Sequence, residues 1–178
     1  MNAAARALLA HAVDPDASDT VLFARLIGAR VESRDLPLLG LNADALSALE
    51  ARHFPGAQVG RPSVTMLWPA HTPFVRDLRG LLMWHDRAAT RHRQDALCLA
   101  TIICAASLRP DHLWRDLGLS SRDDVTDMLV RHYPQLVARN VTNMRWKKFL
   151  AMEVARARGV PPMPAPGCPG CEDFGVCY

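Results

Sequence analysis

Gln94-Asp95-Ala96-Leu97-Cys98-Leu99-Ala100-Thr101-Ile102-Ile103-Cys104-Ala105-Ala106-Ser107-Leu108 is apolar almost all the way round a helical wheel. A helix that is hydrophobic on every side belongs inside other helices, so this stretch reads as the central core helix of its domain. It is too short to cross a bilayer, which takes about 20 apolar residues. Downstream, Pro110 precedes a short helix opening at Asp111-His112-Leu113-Trp114, and Gly118 stops it. Ser120 or Ser121 caps the next helix, with Asp123 and Asp124 in its first turn, where carboxylates complement the helix dipole. Val125, Met128, Leu129 and His132 fall on one side of it, Pro134 ends it, and Gln135 to Arg139 add one more turn. A last helix runs from about Met144 to Arg158, closed by Gly159 and barred from continuing by Pro161-Pro162.

Upstream, Phe74, Leu78, Leu81, Leu82 and His85 recur at helical spacing. Residues 55–73 carry Gly56, Gly60, Pro62, Pro69 and Pro73 and read as a connecting loop, with Trp68 packing onto the core. Asn42 caps a helix bearing Leu46, Leu49 and Phe54, and Asp19 caps another through Val21 to Ile27. No strand-like alternation and no repeat is present. The expected fold is all-α: a loose N-terminal arm over 1–18, a single helical domain over 19–159, and an irregular Pro-rich, Cys-containing tail over 160–178.

The 178 residues are 49% hydrophobic, enough for one well-filled core. Lys and Arg number 21 against 18 Asp and Glu, a net charge of +3. These charges are scattered, and no nucleic-acid motif accompanies them, so no nucleic-acid partner is expected. No apolar run suits a membrane span, and Met1 to Val13 lacks the shape of a secretory signal. The expected location is cytoplasmic, where clustered cysteines bind metal or do redox chemistry more often than they form disulfides.

Five cysteines are present: Cys98, Cys104, Cys168, Cys171 and Cys177. Cys98 and Cys104 are about 600° apart around the core helix, face different ways, and read as packed thiols. The other three form Cys168-Pro169-Gly170-Cys171-Glu172-Asp173-Phe174-Gly175-Val176-Cys177, spaced C-x2-C-x5-C. A C-x2-C turn puts two sulfurs on one side of a tight loop, and Pro169-Gly170 suits such a turn. Three thiolates are one short of a closed zinc site or a fully ligated cubane, and suit a cluster with one open corner. A Cys168–Cys171 disulfide, structural zinc completed by a remote His, and an unused tail remain as alternatives.

Three pieces of the chain resemble one family. Leu108-Arg109-Pro110-Asp111-His112-Leu113-Trp114-Arg115-Asp116-Leu117-Gly118-Leu119 resembles the H-L-W-x-D-L-G-L segment of NifQ proteins. Asn140 and Asn143-Met144-Arg145-Trp146-Lys147-Lys148-Phe149 are similar to the family's N-x-x-x-M-R/K-W-K-K-F segment, and the cysteine tail follows in the same order. The family's cysteine pattern is C-x4-C-x2-C-x5-C. Its last three positions fall on Cys168, Cys171 and Cys177, and its first falls on Met163, whose neutral thioether is a poorer iron ligand than a thiolate. Either three thiolates hold the cluster with the fourth position open or met by another group, or this chain has weakened the family's function.

The resemblance implies a metallochaperone, not an enzyme. Its cofactors would be an iron–sulfur cluster and molybdenum, as a Mo-Fe-S cluster on Cys168, Cys171 and Cys177, with His112 and Met163 as outer contacts. Its partners would be molybdate and the scaffold and assembly proteins of nitrogenase cofactor synthesis, with molybdenum passed on by ligand exchange from an exposed, flexible tail. The rivals are a zinc-stabilised interaction module and an iron–sulfur redox protein without molybdenum. Trp114, Trp146 and Phe149 read as core residues. Arg145, Lys147 and Lys148 form either a solvated face or an attractor for molybdate. Glu172 and Asp173 read as surface charges, and His85, His92 and His132 as surface or boundary residues.

Overall fold

A computed structural model describes residues 1–62, 69–87 and 92–178, so the packing expected for Trp68 lies outside the described residues. Among these residues the chain is all-α, with ten helices and no strand. They are α1 (Ala3–Leu9), α2 (Ser18–Glu32), α3 (Ala43–His53), α4 (Thr72–His85), α5 (Arg93–Ser107), α6 (Leu113–Leu117), α7 (Arg122–His132), α8 (Pro134–Val137), α9 (Trp146–Arg158) and α10 (Phe174–Cys177).

The apolar stretch that opened the reading becomes α5, and Leu99, Ala100, Ile103 and Cys104 on it are wholly buried. Helices α3, α4 and α6 pack around it, α2 and α7 complete the shell, and α9 lies against α4. Phe23, Leu26 and Ile27 of α2, Leu46 and Leu49 of α3, Leu78 and Leu82 of α4 and Phe149 of α9 converge on the same core. The stop signals act as the sequence implies. Asn42 caps α3 by accepting from Ala45 N at 2.8 Å, and Ser121 and Asp124 form a capping box on α7. Gly118 and Gly159 end α6 and α9 in the left-handed conformation. Asp19 does not cap α2. It pairs instead with Arg131 at 2.9 Å, across to α7.

Within the segment expected as a loose arm, α1 is docked. Ala5 and Leu8 are buried, and α1 approaches α2 so closely that a Cβ on Gly28 would lie 2.6 Å from Ala5 N. His132, expected at a boundary, is wholly buried beside Asp19, and His85 is buried as well.

One polar network inside the helices has no counterpart in the sequence reading. Thr20 of α2 bonds His53 Nδ1 at 3.0 Å, His53 Nε2 meets Asp95 at 3.1 Å, and Arg52 Nε donates to Asp95 at 2.8 Å. The arrangement repeats the connectivity of a catalytic triad, but Thr20 and Asp95 are buried within helix contacts, so it ties α2, α3 and α5 together. Burial pushes the Asp95 carboxyl up, and the hydrogen bonds and charges of His53 and Arg52 outweigh it and leave the pKa below the ordinary value.

Candidate metal centre

The tail does not hang free of the helices. After α9 and Gly159 the Pro-rich strap folds back, and Ala165 and Cys168 form a small apolar cluster with Ala151 of α9, backed by Phe74 and Phe174. The first turn of the cysteine segment is a single 3-10 turn over Cys168–Gly170, closed by Cys171 N donating to Cys168 O at 2.9 Å. It presses on the loop between α5 and α6. Gly167 N donates to Ser107 O at 3.3 Å, and a Cβ on Gly167 would lie 1.9 Å from Arg109 O, so only glycine fits. Helix α10 then brings Cys177 back toward Cys168.

As a result Cys168, Cys171 and Cys177 all line one cavity of about 160 Å³. Its other walls come from α6 and the start of α9, through His112, Trp114, Arg145, Lys147 and Lys148. Those are the two segments whose sequence resembles the family, and the geometry shows what each residue in them does. Lys147 is buried beneath the cavity, where it donates to Arg109 O at 2.7 Å, to Asp111 O, and to the carboxylate of Asp116. Arg109 Nε lies 3.4 Å from the same carboxylate. Burial and the neighbouring Arg30 charge lower the Arg109 pKa to about 10, against the pull of Asp116 and Asp35. The Asn140 side chain brackets Met144 through both its N–H and C=O, setting where α9 begins. Arg122 of α7 reaches the Met144 carbonyl at 3.1 Å. Trp146 and Phe149 are core residues, as expected, while Trp114 is half-buried.

The cysteine loop is held from above by charge. Arg115 donates to Glu172 at 2.8 Å, Arg145 meets Asp173 at 2.6 Å, and Lys148 donates to the Cys177 carbonyl and sits 4.7 Å over the Tyr178 ring. Arg145 and Lys148 therefore fasten the tail, and Lys147 is a buried anchor rather than part of a solvated face. Asp173, read as a surface charge, is a fastening point between Cys171 and Cys177.

Cys168 is 7% exposed, and Cys171 and Cys177 are half-buried. Burial pushes the Cys168 thiol up, while the Lys147 charge and a hydrogen bond with the Tyr178 hydroxyl pull it down. Burial and the adjacent thiol push the Tyr178 hydroxyl up in turn. Cys98 and Cys104 are inert core thiols, pushed up by burial to about 11 and about 12. His112 lines the thiol cavity with its ring parallel to Trp114, centroids 6.5 Å apart. Met163 does not join it. Its side chain is 73% exposed and lines a separate groove with Pro161, Ala151 and Val154.

The donor set suits a soft metal group: three thiols and one imidazole line the same cavity, with cations beside them to offset the charge of thiolates. Among the described residues, the His, Cys, Asp and Glu ligand atoms that come within 4.8 Å of one another belong to Asp111, His112 and Glu172 rather than to the three thiols. A single zinc would draw tetrahedral sulfurs to about 3.8 Å, given Zn–S near 2.3 Å. Asp116, Arg109, Gly167 and Tyr178 escaped the sequence reading. The first two stood within the resembling segment and had no stated role.

The family model NifQ matches residues 20–178. The chain is 33% identical over 170 residues to "Protein NifQ homolog" of Sinorhizobium fredii, covering 90% of this chain and 71% of the relative. It is 33% identical over 140 residues to "Protein NifQ" of Rhodobacter capsulatus, covering 79% of this chain and 75% of the relative. With "Protein NifQ" of Azotobacter vinelandii it is 42% identical over 84 residues, 47% of this chain and 43% of the relative. No solved structure matches the chain.

Proposed function

This chain belongs to the NifQ family of nitrogen-fixation proteins, and from that membership we propose that it carries molybdenum on an iron–sulfur cluster and donates it to nitrogenase cofactor assembly. The observation that carries the proposal is the convergence of Cys168, Cys171 and Cys177 on one cation-walled cavity. Buried Lys147 fixes the wall formed by α9 before any ligand arrives, which lowers the reorganisation that binding costs.

The three cysteines would hold the cluster as thiolates; burial opposes that form of Cys168, and the Lys147 charge partly offsets it. When bound, the cluster supplies sulfides that take molybdenum out of its oxygen environment. Molybdenum is the cargo, to be passed on by ligand exchange. Cys171 and Cys177, half-buried on a loop held by surface ion pairs, are the ligands able to open toward a partner. In this reading the chemistry is ligand exchange, not catalysis. Among the same residues no helix is long and apolar enough to cross a membrane.

The test is iron, sulfide and molybdenum analysis of protein purified without oxygen from cells supplied with molybdate. Iron, sulfide and molybdenum should all be absent from Cys171→Ala and retained by Cys98→Ala. Zinc alone in the parent protein, or unchanged iron in Cys171→Ala, would overturn the proposal.

A further inference from the structure

We propose that His112 supplies a nitrogen ligand to the group held by Cys168, Cys171 and Cys177, at the coordination position for which this chain has no fourth cysteine. The inference rests on the cluster reading given above and adds the ligand that reading lacks. Met163 stands where the family pattern has its first cysteine, but the fold carries its thioether into another groove. Of the remaining donors, His112 lines the thiol cavity directly, with its side chain 16% exposed.

The imidazole is held in a defined orientation. Its ring lies 9° from parallel with Trp114, and Nε2 faces Asp173 at 3.3 Å and Glu172 at 3.6 Å, on the loop between Cys171 and Cys177. Asp173 is itself fixed by Arg145 at 2.6 Å. A ligating histidine commonly gives its second N–H to a carboxylate, which sets the tautomer and makes the ligating nitrogen more basic. Asp173 is placed for that role: it holds the Nε2 proton and leaves the lone pair on the ring's other nitrogen. The bond formed is a dative one from neutral imidazole to iron, with no electron transferred.

Asp111 and Glu172 also lie within 4.8 Å of the His112 ligand atom, which raises the possibility of a separate site for a hard cation. Arg115 donates to both carboxylates, at 3.2 Å and 2.8 Å, and so already engages the oxygens that such a cation would need. His112 is the member left to serve the thiols. A neutral nitrogen in place of a thiolate removes one negative charge from the cluster and raises its reduction potential, as histidine ligation does in other iron–sulfur centres.

The experiment is pulsed electron paramagnetic resonance of the reduced cluster in oxygen-free protein labelled with 15N-histidine. Parent protein should show a strongly coupled histidine nitrogen. His112→Cys should keep its iron and sulfide, lose the nitrogen coupling and shift to a lower potential. His112→Ala, its helicity checked by circular dichroism, should lose most of its iron. A parent cluster with no bonded histidine nitrogen, or coupling that persists in His112→Cys, would overturn this inference while leaving the cluster reading intact. A parent protein without iron and sulfide would overturn both.

Discussion

Lys147 shows how a single residue serves the site without touching a metal. Its ammonium is buried against two carbonyls and Asp116, which together hold α9 to the loop ahead of α6. Replacing it with Ala strands a buried carboxylate, and Lys147→Ala should lose about 3 kcal/mol of stability in a urea titration. Gly167 is a second such residue, because nothing larger fits against Arg109 O. Gly167→Ala should cost about 1–3 kcal/mol and push the cysteine turn off its seat, seen as iron lost from a protein of normal helicity. Met163 gives a contrasting expectation. A thiol at 163 would lie on the strap's exposed groove, so Met163→Cys should hold no more iron than the parent. A rise in iron content would instead place residue 163 at the cluster.

At the level of elements, the cysteine segment is a light structure clamped between α6 and α9. Its apolar anchor is small, and its outer contacts are the exposed pairs Arg115–Glu172 and Arg145–Asp173. Exposed pairs are weak and screened by salt. Hydrogen exchange at the amides of Cys171 to Cys177 should therefore quicken as salt is raised, while α5 amides do not change. The helices themselves were legible in the sequence, because α5 is apolar on all sides and Asn42, Ser121, Gly118 and Gly159 are strong caps and stops. The docking of α1 and of the tail was not legible. Both depend on close approach at one glycine, Gly28 or Gly167, and a lone glycine does not announce which distant backbone it meets. The three tail cysteines stood out by spacing, whereas the buried roles of Lys147 and His132 were hidden by residue types that normally face water.

Across the whole molecule, buried titratable groups set how acid acts on the fold. Burial lowers the pKa of His132, and of His85 with help from Arg139, so the unfolded chain takes up those protons more readily. Stability is then complete above about pH 6.5 and falls as pH drops below it. Asp95 and Asp124 are depressed as well, Asp124 chiefly by its hydrogen bond from Arg25. Their contribution is present above about pH 4 and is lost below that. Melting temperature should thus decline in two stages between pH 7 and 3, and a flat profile from pH 7 to 5 would show that the two histidines ionise freely in the folded state. The same network ties α2, α3 and α5 into the frame on which the cavity depends, and Asp95→Asn should cost about 3 kcal/mol and blunt the lower stage.

The proposed state of the protein is molybdenum in a sulfur environment held by the tail cysteines. X-ray absorption at the molybdenum edge, on protein purified without oxygen from molybdate-fed cells, addresses it directly. The expected result is molybdenum with sulfur and iron neighbours in the parent protein, and no bound molybdenum in Cys171→Ala. Molybdenum surrounded by oxygen alone, or bound equally by Cys171→Ala, would contradict it.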